Sequence, residues 1–321
     1  MSIQKKTGVI QGLWAWMLER YPPGIIILHG LVYLTTIAVS QYLYDPKIEA
    51  VTMYYLRDGL GIYVFFLFPM LLRIIDEHKD YERDCITHPE RVLQRGDTSL
   101  SILAKLGWIC VLIQAVFSLY VDQGFGSVTI FWLITIGYSL LMAKEFFCGE
   151  WLEKRLMLYA ISHQLVTPIS MLWLCSVSIS PAFPSAQIWG LAAAAFCCTF
   201  GYEVGRKIRA PIDEKEGVDS YTKALGLRVA PVLTIMFFSG AAGIPIWWFQ
   251  EIGLTGGLSS TLLLIDGLIF FLCVAVCVLF LHNPQKKWAK SIEGGSAIMT
   301  LWVYGWILYA VSTAKEITWM W

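Results

Sequence analysis

Charge is scarce in this chain. Asp, Glu, Lys and Arg make up 15% of its 321 residues, against roughly 25% in a soluble domain, and 57% are hydrophobic. A water-solvated globule is excluded, and the bilayer is the expected solvent. Paired cysteines are missing as well: Cys85, Cys110, Cys148, Cys175, Cys197, Cys198, Cys273 and Cys277 fall mostly inside apolar runs without CxxC spacing. That argues against a disulfide framework or zinc site and leaves them as reduced core residues. Formal net charge is zero, so nucleic acid is not an expected partner. Nor does Met1–Pro23 read as a cleavable leader, because Glu19, Arg20, Pro22 and Pro23 interrupt any apolar core behind Lys5 and Lys6.

Long apolar runs are what the chain has in quantity. A helix that crosses the hydrocarbon needs about 20 such residues, and nine stretches qualify: Gly24–Tyr44, Tyr55–Ile75, Ser99–Tyr120, Val128–Ala143, Leu156–Ser178, Ala186–Gly201, Leu227–Phe249, Leu258–His282 and Gly294–Thr313. The expected fold is all-α and polytopic, with helices enclosing a central cavity in one domain over residues 1–321. Its expected halves are residues 24–144 and 150–282, with a ninth helix at 294–313.

Nine crossings put the N-terminus and the connections after spans two, four, six and eight on one face. All of the 24 Lys and Arg residues then fall on that face except Lys47, Arg57 and Lys315. The positive-inside rule assigns the basic face to the cytoplasm, which predicts a multi-pass protein of the cell (inner) membrane. A wrong span count would scatter the basic residues over both faces, so their asymmetry supports the count.

After span two the chain reads RIIDEHKDYERDCITHPERVLQRG. Asp76, Asp80 and Asp84 are spaced i, i+4 and i+8, on one face if the helix continues. Stacked carboxylates repel unless cations lie between them, and oxygen-only ligands favour a hard ion such as Mg²⁺. Arg73, Lys79, Arg83, Arg91 and Arg95 surround these acids, a mixture that suits a metal-bound polyanion such as a diphosphate. The competing reading is a solvated loop with locally paired charges.

A second mixed segment follows span six, FGYEVGRKIRAPIDEKEGVDSYTKALG, with Glu203, Arg206, Lys207 and Arg209 ahead of Asp213, Glu214, Glu216 and Asp219. Taken alone, Glu203 with Arg206 or Lys207 is equally an ion pair where a helix meets headgroups. Two such loops on one face suggest a duplicated unit that grips one ligand from both sides.

In these motifs the chain resembles the UbiA superfamily of intramembrane prenyltransferases, whose first motif reads approximately NDxxDxxxD followed by PxRxLxxG. Asp76-Glu77-xx-Asp80-xxx-Asp84 precedes Pro89-x-Arg91-x-Leu93-xx-Gly96 here, Lys154-Arg155 enters span five, and a GxxxxTxxLG-like ending spans Gly217 to Gly226. The resemblance implies an enzyme that ionises an isoprenyl diphosphate with Mg²⁺ and transfers the prenyl group to a lipophilic acceptor within the bilayer.

It further implies Asp76, Asp80, Asp84 and Glu203 as catalytic groups. Metal ligands would come from Asp76, Glu77, Asp80, Asp84, Glu203 and Asp213, and diphosphate contacts from Arg91, Lys154, Arg206, Lys207 and Arg209. Asp76 replaces the usual Asn, Glu77 an Asp and Glu203 an Asp, and Lys207 stands where a second carboxylate is often found. Lys207 is therefore expected to supply charge in place of part of a second metal site. The altered second motif is unlike those associated with quinone, haem O or chlorophyll synthesis. A UbiA-type terpene cyclase, which needs no acceptor, stays open beside prenyl transfer, and so does a lipid transporter or scaffold.

Ionisation also leaves an allylic cation that aromatic faces stabilise. Trp132, Tyr138, Trp173, Trp189, Trp247, Trp248 and Trp302 are candidates for lining the cavity, with ordinary packing or interface anchoring as the alternative. His163 and Asp266 are ionisable inside spans five and eight. They read as a hydrogen-bonded core histidine and an interhelical contact, and neither is assigned catalysis.

Overall fold

A computed structural model describes residues 8–45, 47–179, 186–215, 220–251 and 259–321. Helices dominate, as they must where lipid offers no partner for a backbone N–H or C=O. After α1 (Val9–Arg20) and α2 (Pro23–Tyr44) come β1 (Ala50–Tyr54), α3 (Tyr55–Lys79), α4 (Tyr81–Thr87), α5 (Leu100–Val121) and α6 (Ser127–Ala143). Then follow α7 (Gly149–Glu153), α8 (Leu156–Gln164), α9 (Val166–Ser178), α10 (Ala186–Arg206), α11 (Tyr221–Leu225), α12 (Val229–Glu251), α13 (Ser260–His282), α14 (Lys286–Ala314) and β2 (Glu316–Met320).

Among the described residues eight helical segments are long and apolar enough to cross a membrane, and α6 adds a shorter apolar helix of 17 residues. These match the nine expected stretches, with differences at their ends. α3, α10 and α14 run about one to two turns past the apolar stretch, to Lys79, to Arg206 and back to Lys286, because charged side chains at an aqueous boundary do not break a helix. Span five is divided between α8 and α9 at Leu165, three residues ahead of Pro168, since proline cannot donate to the Gln164 carbonyl. Serines cap three starts: Ser99, Ser220 and Ser259 accept from the backbone N–H of Ile102, Lys223 and Leu262.

Two short strands qualify the all-α expectation. β1 and β2 pair in parallel with Ala50 opposite Glu316 and Tyr54 opposite Met320. The Gln41 side chain covers the other edge of β1, donating to the Thr52 carbonyl at 2.8 Å and accepting from its N–H at 3.0 Å. Because β1 follows the first span and β2 the last, an even number of crossings separates them. Eight apolar segments lie between when α6, near the lower limit of about 17 residues, is counted with them.

Ion pairs separate between the two ends. Arg20–Glu77, Lys79–Glu145, Lys207–Glu203 and Lys286–Asp213 sit at one. Arg57–Asp58 and Lys315 over the Tyr42 ring sit at the strand end.

The packing of α10 follows from its small residues. Ala192, Ala194 and Ala195 are buried, and a Cβ on Gly205 would collide with the Ser296 hydroxyl of α14. Such surfaces let membrane helices approach closely. The eight cysteines are free, and Cys110, Cys175, Cys198, Cys273 and Cys277 are buried.

α1 was not foreseen as a helix. It leaves Val9, Ile10, Trp14 and Leu18 exposed, the apolar stripe of a helix lying in a headgroup region, and seats Gly12 against the Asp97 backbone, where a Cβ would strike the carbonyl oxygen. Gly12→Ala is expected to lift α1 and lower stability by about 1–3 kcal/mol, the usual cost of overpacking. Thermal unfolding and faster proteolysis after Arg20 check this.

Candidate active site at the basic end

The three aspartates of the first motif stay one helical turn apart although the helix breaks among them. α3 ends at Lys79, Asp80 takes φ −94° and ψ 4°, and α4 resumes at Tyr81. The i to i−4 backbone bonds nevertheless continue: Asp80 N–H donates to the Asp76 carbonyl at 2.8 Å, Asp84 to Asp80 at 2.9 Å and His88 to Asp84 at 2.8 Å.

Their side chains differ in how fully they are paired. Asp76 is 45% exposed with Lys79 at 3.8 Å, and Asp80 is 29% exposed with Arg83 at 3.4 Å. Asp84 is closed off by Arg91 at 2.5 Å. Asp76 and Asp80 thus keep free carboxylate oxygens at the boundary.

Glu77 faces elsewhere. Its side chain is wholly buried, 2.7 Å from Arg20 Nε and 3.1 Å from Arg73 Nε, and it accepts from the Trp16 indole at 3.3 Å. One residue is about 100° of helix rotation, and that turns Glu77 from the aspartate face toward α1. In the structure Glu77 anchors α1. Glu19 completes the anchor by accepting from the Val92 N–H at 3.0 Å, which fixes the turn that carries Arg91.

Glu203, at the end of α10, is paired through both oxygens. Oε2 accepts from Arg206 Nε at 2.7 Å, and Oε1 lies 2.7 Å from Lys207 Nζ. Asp213 is drawn to Lys286 at 3.1 Å, at the start of α14, and Glu214 accepts from Ser220 and Thr222 at 2.6 and 2.9 Å. Glu216 and Asp219 lie outside the described residues. The loop is folded back on itself: Tyr221 N–H reaches the Lys207 carbonyl at 3.2 Å and Arg209 N–H the Thr222 hydroxyl at 3.0 Å. Burial, with the Glu203 charge added, pushes the Tyr221 phenol up, and its hydroxyl has no partner. Gly96 and Gly226 end the two motifs at φ +84° and +93°, a conformation glycine adopts without strain.

A polar cluster missed in the sequence lies beside the first motif. Lys79 Nζ, beside Asp76, is 2.9 Å from Glu145 Oε1 and 2.8 Å from the Tyr159 hydroxyl. Glu145 Oε2 is 3.3 Å from His163 Nε2. Only the acid at position 145, isolated behind span four, could have signalled this. Beside Lys79 opens an apolar cavity of about 480 Å³, lined by Leu71, Gly107, Val111, Ile136 and Leu140 among others.

Lys154 is exposed at the end of α7, with no contact to either cluster among the described residues. Trp132, Trp173 and Trp302 donate their indole N–H to Gln114, Ser118 and Asp266, so Asp266 is the interhelical contact anticipated for it. Trp189 and Trp247 are exposed.

Among the described residues no three His, Cys, Asp or Glu side chains form a cage for a metal ion. Mg²⁺ is usually held by one or two carboxylates plus substrate phosphates and water, and the loosely paired Asp76 and Asp80 fit that role. Glu203, closed by two cations, does not.

The fold is shared with solved membrane proteins. A solved digeranylgeranylglyceryl phosphate synthase is similar at TM-score 0.61 and 17% identity, covering 94% of this chain and 98% of that one. An apo UbiA homologue from Aeropyrum pernix K1 is similar at TM-score 0.59 and 16% identity, covering 87% and 95%. No protein-family model and no curated protein matches the sequence.

Proposed function

We propose that this chain is a Mg²⁺-dependent prenyltransferase that ionises an isoprenyl diphosphate at its basic end and passes the prenyl group to a lipophilic acceptor in the bilayer. The observation that carries the reading is the pair Asp76 and Asp80, one turn apart and incompletely paired, beside the Lys79–Glu145 ion pair. The UbiA-type fold supports it. By the positive-inside rule the site faces the cytoplasm.

Separating an allylic cation from diphosphate is aided most by fixed positive charge at the leaving group. Asp76 and Asp80 would hold Mg²⁺, which when bound would neutralise the diphosphate oxygens. Arg206, Lys207 and Arg209 meet the same group from α10 and the loop behind it. Lys207 and Arg206 on Glu203 put protein cations where a second metal would need a free carboxylate, so a single metal is expected. Metal bound per protein with a non-hydrolysable isoprenyl diphosphate analogue should approach one, and two well-occupied sites would sink the one-metal arrangement.

The enzyme reading itself is tested on purified protein in vesicles with Mg²⁺ and isoprenyl diphosphates of several chain lengths. Diphosphate release that a chelator abolishes is expected, and movement of lipid across the bilayer without release would overturn it. A cyclic product formed without any acceptor would point instead to a cyclase.

A further inference from the structure

His163 is held so that one ring nitrogen is committed and the other is left open. Its Nδ1 lies 2.8 Å from the Tyr159 carbonyl. A carbonyl only accepts, so Nδ1 carries the proton, and in the neutral ring Nε2 presents a lone pair. Among the described residues Nε2 has no hydrogen-bond partner; neither has Glu145 Oε2, 3.3 Å away. Two acceptor atoms side by side at a half-buried site are unfavourable unless a proton donor joins them.

The ring is fixed from several sides. Tyr159 stacks on it at 4.0 Å and 15°, and Phe146 meets it edge-on at 5.7 Å. Glu145 is fixed too, because Oε1 pairs with Lys79 and accepts from Tyr159 at 3.1 Å. Its backbone is strained: Glu145, Phe146 and Phe147 have φ of 48°, 53° and 58°. Left-handed helical geometry costs about 1–2 kcal/mol per non-glycine residue, and such strain persists where surrounding contacts over-determine it, often at functional sites. Here it turns Glu145 toward His163. Lys79 at the end of α3 and Lys207 just after α10 are cations whose charge acts on the ring.

We propose that Glu145 Oε2 and His163 Nε2 form the polar end of an acceptor site for a hydroxyl group, and that His163 Nε2 takes the hydroxyl proton during prenyl transfer. The inference rests on the proposed ionisation and deepens it. The allylic C–O bond to diphosphate breaks and its electron pair leaves with diphosphate. A lone pair of the acceptor oxygen forms a new C–O bond to the allylic carbon, the O–H bond breaks, and the proton ends on Nε2. Glu145 stabilises the imidazolium so formed. An ammonium head would satisfy both acceptor atoms, but it has no lone pair to give. An aromatic C–H gives up its proton only after the new carbon–carbon bond has formed, and offers these atoms no hydrogen bond before it.

The test uses the full chain in vesicles made from total lipid of its native host, with Mg²⁺ and labelled isoprenyl diphosphates of several chain lengths. Labelled ether and released diphosphate are measured separately. Wild type should form an alkali-stable ether. His163→Gln should lower the ratio of ether formed to diphosphate released by about 10²-fold or more, the typical contribution of a general base. It should also remove the acid limb of the pH profile of ether formation. Glu145→Gln should lower the ratio less and keep the limb, which serves as the second variant should the first unfold. Diphosphate release with a carbon–carbon or cyclic product, or a wild-type ratio and pH profile in His163→Gln, overturns the proposal. Absence of diphosphate release from wild type overturns instead the ionisation on which it rests.

Discussion

Asp80→Ala is expected to slow Mg²⁺-dependent diphosphate release by roughly 10²–10³-fold, the scale on which losing one group that stabilises developing charge slows such a reaction. The effect should fall on activity and not on the fold. The Asp80 side chain is 29% exposed, and its one ion pair, to Arg83 at 3.4 Å, involves a partner that is itself 59% exposed. Exposed pairs contribute little, with a median near 0–1 kcal/mol. Thermal unfolding of the variant should therefore stay close to wild type, and raising Mg²⁺ should recover part of the lost rate. Near wild-type turnover in Asp80→Ala would remove the first aspartate ladder from the site.

Glu77→Ala should behave in the opposite way, three residues from Asp80. Glu77 is wholly buried between Arg20 and Arg73 and accepts from Trp16. Removing one partner of a buried ion pair leaves the other uncompensated and costs about 3–5 kcal/mol. Burial and the neighbouring Arg73 depress the Arg20 guanidinium below its ordinary range, and Glu77 is the nearby carboxylate that opposes them. A large fall in unfolding temperature and release of α1 to protease are expected, with the Mg²⁺ dependence of the surviving fraction unchanged. A stable Glu77→Ala protein with weakened Mg²⁺ affinity would return Glu77 to the metal.

The contrast between these neighbours marks where the motif stopped being legible. Asp76, Asp80 and Asp84 are related by helical periodicity, so spacing alone aligned them. Glu77 belongs to the same motif by composition, but the helix turns it onto α1. Nothing local predicts α1, whose docking depends on Gly12 meeting the Asp97 backbone and Trp16 meeting Glu77. Likewise, Glu203 with Arg206 and Lys207 left two readings open, and the distances favour the ion pair while keeping both cations at the end of α10.

The sequence by itself determined the solvent, the spans and the division of charge. Transfer of apolar side chains into lipid and exclusion of Lys and Arg from it are additive over a stretch of chain and need no tertiary partner. The three-aspartate ladder belongs with them, because 3.6-residue periodicity is local. Tertiary structure alone decided the rest. β1 and β2 pair across nearly the whole chain, Glu145 reaches Lys79 and His163 through a left-handed turn, and Glu77 closes on Arg20. Each depends on groups far apart in sequence whose desolvation is offset only when the packed helices bring their partners within hydrogen-bonding distance.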